Sequence, residues 1–270
     1  MDINTCYVCK IQNQLDAVPD KKNGTLTVSR IHPVDDRLMQ QTADICLKAL
    51  KFCTSVILKE WDGIMAVDSK LRKRRIDMLI HKTKKGDPKY PEFDEQFPNL
   101  PAYTRRSIIA DAFGMVKSYK SNLKNWEILS PAERSMKPTI GFPSRYELTF
   151  YDQERKMSHL ADGQIGLKLF SGHSWNWYYF QISQSDARYI YRMSRERKML
   201  SPIVYKVRGR FRYVLLSRNP GNWFRMKINL LTASSLSISV SMLPHPGASW
   251  NRMVLSMQKV SSTLPVKKTV

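Results

Sequence analysis

Residues 38–61 repeat apolar side chains at steps of three and four, the spacing that lines one face of an α-helix. The apolar positions are Leu38, Ala43, Cys46, Leu47, Leu50, Cys53, Val56 and Ile57. Pro33 ends the segment before the helix, and Asp35 or Asp36 can cap its N-terminus. A helix of this length with one apolar face must bury that face against another element, so the sequence predicts a layered core.

Two more helices are expected before residue 130. The first covers about residues 70–81, and the second covers residues 102–126. The second is expected to bury Ile108, Ile109, Ala112, Phe113, Val116 and Tyr119. Between them, residues 82–101 are rich in proline and charge, which predicts a loop.

After Pro131 the pattern changes from helical to strand-like. Short runs separated by Gly, Ser and Asp turns predict strands at residues 146–151, 164–170, 175–182 and 202–207. The β-branched residues 25–31 predict one strand before the helices. This order indicates an α+β fold, either as two subdomains or as a β-barrel into which the helices are inserted.

The chain is strongly basic. It has 44 Lys and Arg residues against 23 Asp and Glu residues, a net charge of +21. Such an excess is self-repulsive unless a polyanion neutralises it, and nucleic acid is the favoured polyanion. An anionic membrane is the competitor, but no apolar run reaches spanning length. The first ten residues lack the pattern of a signal peptide, so a cytoplasmic location, in a prokaryotic cytosol or nucleoid, is expected.

Cations cluster in three segments. Within residues 102–126, Arg106, Lys117, Lys120 and Lys124 fall on one side of the helix, away from its apolar face. The candidate nucleic-acid-binding residues are Arg72, Lys73, Arg74, Arg75, Arg105, Arg106, Lys117, Lys120, Lys124, Arg192 and Arg195. The alternative is that each cluster is a solvated helix face.

Aromatic rings crowd into the predicted strand at residues 175–182. They are Trp175, Trp177, Tyr178, Tyr179 and Phe180. Because side chains alternate between the faces of a strand, some of these rings must enter the core. Rings on the other face could stack on bases, as in oligonucleotide-binding barrels, but core packing explains most of them.

The chemistry-bearing residues form no catalytic pattern. Cys6 and Cys9 make a lone C-x-x-C without the further ligands of a structural zinc site, and Cys46 and Cys53 fit buried thiols. The five histidines are scattered, and no phosphate-binding glycine loop is present. No catalytic residue, metal ligand, cofactor or small-molecule substrate is therefore assigned to this chain.

Three stretches together resemble the TnpB-like (OrfB) insertion-sequence nucleases and the type V CRISPR effectors. They are TLTVSRIHPVDDRLMQQTADICLKALKF (25–52), PAYTRRSIIADAFGMVKSYKSNLKNW (101–126) and KMLSPIVYKVRGRF (198–211). The resemblance implies an oligonucleotide-binding-like β-barrel, the wedge domain, with an inserted helical recognition domain. It also implies binding of guide RNA and target DNA. The resemblance implies a division of the chain into four parts: an N-terminal segment with the first wedge strand (1–31), the recognition domain (32–130), the wedge domain (131–212) and a tail (213–270).

The tail departs from this family. Residues 197–270 contain no Asp or Glu. In the family, the RuvC-like domain would begin in this region, and its acidic residues hold magnesium. Read in a shifted frame, codons for residues 212–219 permit L-R-P-S-F-E-E, and those for 232–242 permit R-I-L-A-V-D-L-G-I-N. Both strings resemble the family, which favours a truncation by frameshift near Arg212 and a disordered or non-native tail. Magnesium and zinc are then expected only in the missing C-terminal part.

Three functions remain open on these grounds. The first is a truncated TnpB-like protein that binds guide RNA and target DNA without cleaving. The second is a nuclease completed by programmed frameshifting, and the third is a stand-alone basic DNA- or RNA-binding protein such as a repressor.

Overall fold

A computed structural model describes residues 3–20, 25–83, 86–151, 155–156 and 163–219. In chain order its elements are β1 (Ile3–Lys10), β2 (Asn13–Pro19), β3 (Leu26–His32), α1 (Asp36–Lys59), α2 (Trp61–Met65), α3 (Arg72–Ile80), α4 (Glu92–Gln96), α5 (Ala102–Ile128), β4 (Leu148–Thr149), β5 (Arg155–Lys156), β6 (Gln164–Phe170), β7 (Trp175–Gln181), α6 (Gln184–Glu196), β8 (Lys198–Met199), β9 (Ile203–Val207) and β10 (Arg210–Asn219). The predicted α+β class is confirmed.

The strands form two antiparallel sheets of five strands each. One has the order β1-β10-β9-β4, with β8 also paired to β10, and the other has the order β3-β2-β7-β6-β5. The chain crosses between them after β1, where the Ile11 amide donates to the Phe211 carbonyl at 3.2 Å and the Gln12 amide donates to the Gln181 carbonyl at 2.8 Å. Among the described strands no pairing joins the sheets into a closed barrel.

The helices α1 to α5 all lie between β3 and β4 in the chain, and α1 links them to a sheet. Asp35 caps α1 by accepting a hydrogen bond from the Arg37 amide at 2.9 Å. The buried face of α1 packs against α5 and β6. At β6 the Phe170 amide donates to Thr42 Oγ1 at 2.9 Å, so the helical layer and the sheet share one core.

The three predicted helices are observed as α1, α3 and α5. The predicted loop at 82–101 was partly wrong, because it contains the single helical turn of α4, where Phe93 is fully buried. The strands β1, β2 and β5 and the helices α2 and α6 were missed. The early strand β3 pairs with β2, and only β2 pairs with the later β7, so β3 joins the later strands indirectly.

The last described strand, β10, continues past Arg212 to Asn219. It pairs with β1 from Lys10↔Arg212 to Ile3↔Asn219, and with β9 on its other side. Tyr213 and Leu215 are completely buried. Residues 213–219, which were predicted to belong to the tail, therefore contribute to the sheet and to the core. Residues 220–270 of the predicted tail lie outside the described residues.

None of the helices in the described part of the chain combines the length and the apolar character needed to cross a bilayer.

Candidate nucleic-acid interface

The helix α5 carries a stripe of cations along one side. Arg106, Lys117 and Lys124 are exposed and Lys120 is partly exposed. The buried face of the same helix consists of Arg105, Ser107, Ile108, Ile109, Ala112 and Val116. At 1.5 Å per residue the stripe is about 27 Å long. We call these four residues the α5 stripe.

No residue of the α5 stripe forms an ion pair within the described chain. Ion pairs of the described chain form elsewhere, for example between Asp16 and His32 at 3.0 Å, Glu60 and Lys89 at 2.5 Å, and Asp77 and Arg105 at 2.8 Å. The four stripe cations therefore keep their charge available to an external anion.

Aromatic rings flank the α5 stripe at its N-terminal end and near its middle. The Arg106 guanidinium lies 5.1 Å from the centre of the Tyr103 ring, which is 5.7 Å from that of Tyr151. Phe113, one turn before Lys117, stacks on Trp61 with ring centres 6.0 Å apart. The Tyr103 ring limits the freedom of Arg106, and the Phe113–Trp61 pair supplies apolar surface near the middle of the stripe.

Arg105 differs from its neighbour Arg106. Its side chain is only 9% exposed, and its Nε donates to Asp77 Oδ1 at 2.8 Å. The contact holds α3 against α5 from the inside of the helical layer. Arg105 is therefore placed in a structural role and lies outside the α5 stripe.

The cations of α3 form a separate group. Arg72 donates to the carbonyls of Met65 and Val67, each at 3.2 Å, and so caps α2. Lys73, Arg74 and Arg75 are exposed. The ammonium of Lys73 acts electrostatically on Asp111.

Asp111 shows which side of α5 Lys73 of α3 faces. It lies about 140° around the α5 axis from Arg106. Tyr146 donates to Asp111 Oδ2 at 2.7 Å. Desolvation of the carboxyl group raises the pKa of Asp111, and this hydrogen bond opposes the shift. Lys73 of α3 therefore borders a different side of α5 from the α5 stripe.

The third group lies on α6, which sequence reasoning did not identify as a helix. Arg192 and Arg195 are exposed there together with Arg188 and Tyr191. Two signals for this helix were present in the sequence. Ser183 stands three residues before Asp186, as in an N-terminal cap, and Ala187, Ile190 and Met193 recur every third residue.

The aromatic cluster of β7 serves mainly the core. Tyr179 and Phe180 are buried, and Trp175 and Tyr178 pack against the core while partly exposed. Within the described residues, Trp175 Nε1 and the Tyr179 hydroxyl are buried without a hydrogen-bond partner. The interpretation that most of these rings are core residues is confirmed.

The cysteines are free thiols. Cys9, Cys46 and Cys53 are buried and Cys6 is exposed. Burial raises the pKa of Cys9 and that of Cys53 to about 12, so both remain protonated at neutral pH. In the described part of the chain no three His, Cys, Asp or Glu side chains come together as a metal site.

The chain matches the model of a protein family. The profile of the Aq_aa04 family matches residues 25–171, more than half of the chain. The matched region runs from β3 past the end of β6 and contains the whole α5 stripe, whereas α6 lies beyond it. No curated protein matches the sequence.

Proposed function

The chain belongs to the Aq_aa04 family, and we propose that it binds nucleic acid through the phosphate backbone. The observation that supports this proposal is the α5 stripe. It presents four cations along about 27 Å of a single helix, and none of them has an acidic partner within the described chain. Phosphates that contact such cations release condensed counterions, which is a major source of affinity.

The net charge of +21 strengthens the proposal. An array of unpaired cations raises the local concentration of a polyanion and accelerates its association. A helix face that is merely solvated would carry the same residues without a ligand. The two interpretations differ in what happens when the stripe is neutralised, because only a binding surface loses affinity.

The ligand we propose is a guide RNA together with its target DNA. This choice rests on the resemblance of residues 25–52, 101–126 and 198–211 to TnpB-like proteins. The insertion of α1 to α5 between β3 and β4 is compatible with a recognition domain set into a wedge domain. In this proposal the two sheets, which no described strand pairing closes into a barrel, take the place of the wedge barrel. The protein is proposed to act in a prokaryotic cytosol or nucleoid.

Replacing Lys117, Lys120 and Lys124 together with Gln tests the proposal. Each lost phosphate contact makes the negative slope of log affinity against log salt shallower by about one, so the slope of the triple variant should be shallower by two to three units. Its affinity at low salt should fall by about tenfold or more. The measurement is fluorescence anisotropy with labelled RNA and DNA at several salt concentrations.

The matched control replaces Lys48, Lys51 and Lys59 of α1, three exposed lysines on another helix, with Gln. This variant loses the same formal charge but leaves the α5 stripe intact, so its affinity should change much less. Equal losses in both triple variants would show that total charge alone governs binding. Unchanged binding of the stripe variant would show that the α5 face is merely solvated.

A further inference from the structure

We propose that the exposed face of α6 binds an unpaired strand of nucleic acid, with Tyr191 stacking on a base and the neighbouring arginines contacting phosphates. The proposal rests on the proposed nucleic-acid binding and adds a ligand class and a second contact surface to it. It concerns Arg188, Tyr191, Arg192 and Arg195, which we call the α6 face.

The α6 face is defined by helical spacing. Its residues stand at steps of three, one and three, which places them within about 100° of one another. All four are exposed, and the Tyr191 side chain is 50% exposed. The opposite side of α6 carries the buried Ala187, Ile190 and Met193. Along the helix axis the Tyr191 ring therefore lies between Arg188 and Arg195 on the solvent side, at one edge of the arc that the arginines cover.

The helix that carries this face is fixed to the protein at both ends. At its N-terminus, Ser183 Oγ accepts a hydrogen bond from the Asp186 amide at 3.0 Å, and the Tyr7 hydroxyl donates to Asp186 Oδ1 at 2.6 Å. The Tyr7 and Tyr189 rings pack with centres 4.3 Å apart. Just after the helix, Arg197 Nη1 donates to Thr5 Oγ1 at 2.8 Å. The α6 face is therefore presented on a rigid element, which reduces the entropy lost on binding.

The charge distribution favours an anionic partner, because the three arginines outnumber the one exposed carboxylate near them on α6, that of Glu196. Asp186 is turned toward β1 by its bond to Tyr7, so the acidic residue of the first turn does not neutralise the arginines. None of the three arginines forms an ion pair within the described residues. The Arg192 guanidinium lies 5.5 Å from the centre of the Tyr189 ring, which orients it beside the helix.

The exposed ring distinguishes an unpaired strand from a duplex. Bases inside a duplex are stacked on each other and offer no free face, whereas an unpaired base can stack on tyrosine. From Arg188 to Arg195 the helix rises about 10 Å, and a stacked strand advances 3.4 Å per nucleotide. The α6 face can therefore contact about three nucleotides, with one base on Tyr191.

Three variants at residue 191 test this proposal. Tyr191→Ala should lower the affinity for a short single-stranded oligonucleotide by at least about fivefold, as expected for loss of one stacked base. Its affinity for a duplex of the same sequence should change less than about twofold, because the cations remain. Tyr191→Phe should retain single-strand binding, whereas Tyr191→Leu should lose it. RNA and DNA versions of both probes show which kind of strand is preferred.

The matched control is Phe142→Ala, because Phe142 is also a partly exposed ring with a cation beside it, the Lys51 ammonium at 5.8 Å from the ring centre. Its single-strand affinity should be unchanged. Equal losses for single strand and duplex, no loss in Tyr191→Ala, or full binding by Tyr191→Leu would each overturn the stacking proposal while leaving the α5 stripe untouched. If the unmodified chain bound neither probe, the proposed function itself would fail.

Discussion

Replacing Tyr213 with Ala should lower the free energy of unfolding by about 3–5 kcal/mol, as is typical when a large ring is removed from a core. Tyr213 is completely buried in β10, between β1 and β9. The loss is measured by urea denaturation followed by circular dichroism. Because residue 213 follows the position where a change of reading frame was inferred, this variant tests whether the translated residues beyond Arg212 belong to the fold.

The control for this variant is Val207→Ala, which truncates a side chain that is 39% exposed on the neighbouring β9. Its unfolding free energy should change by less than about 1 kcal/mol. A Tyr213→Ala variant as stable as the unmodified chain would contradict the core position of β10. It would support the interpretation that residues after 212 are unselected sequence.

Replacing Arg105 with Ala should cost about 3 kcal/mol of stability. The side chain of Asp77 is only 22% exposed. After the substitution its carboxylate no longer has the guanidinium that donates a hydrogen bond to it. Removing one partner of a largely buried pair leaves an uncompensated charge, which is more costly than losing a surface pair. The folded variant should bind nucleic acid as tightly as the unmodified chain.

Arg106→Ala is the matched control, since it removes the same side chain from the next position of α5. Because Arg106 is exposed, the unfolding free energy of the Arg106→Ala variant should change by no more than about 0.5 kcal/mol. Its binding to nucleic acid should weaken. Denaturation and binding measured on both variants separate the two roles. A stable Arg105→Ala variant with weakened binding would place Arg105 in the interface and contradict its structural assignment.

The elements that sequence reasoning identified have strong local signals. For α1 these were the apolar steps of three and four, the preceding proline and the Asp35 cap, and for β6 they were β-branched and apolar residues between turn residues. The strand β1 lacked such a signal, because INTCYVCK mixes polar and apolar residues without regular alternation. Its position is determined by pairing with β10, about 200 residues away in the chain, which no local pattern reveals.

The candidate interface was also predicted only as far as local sequence patterns allow. Helical spacing was sufficient to group Arg106, Lys117, Lys120 and Lys124, because they share one long helix. The same spacing places Arg105 on the apolar side with Ile109 and Ala112, but it could not reveal the partner that pairs with the buried guanidinium, Asp77 on another helix. Tyr191 was missed because the arginine-rich segment was considered for its charge, while its apolar period of three residues was not recognised as the buried side of a helix.

The central claim, binding to the phosphate backbone, is tested most directly by the salt dependence of binding of the unmodified chain to duplex DNA. Four phosphate contacts from the α5 stripe alone predict a slope of log affinity against log salt of about −3.6 or steeper, and about −2.8 or steeper for a single strand. We expect tight binding at about 50 mM salt that weakens along this slope up to about 200 mM salt. A slope near zero, or no binding at the lowest salt concentration, would contradict the account.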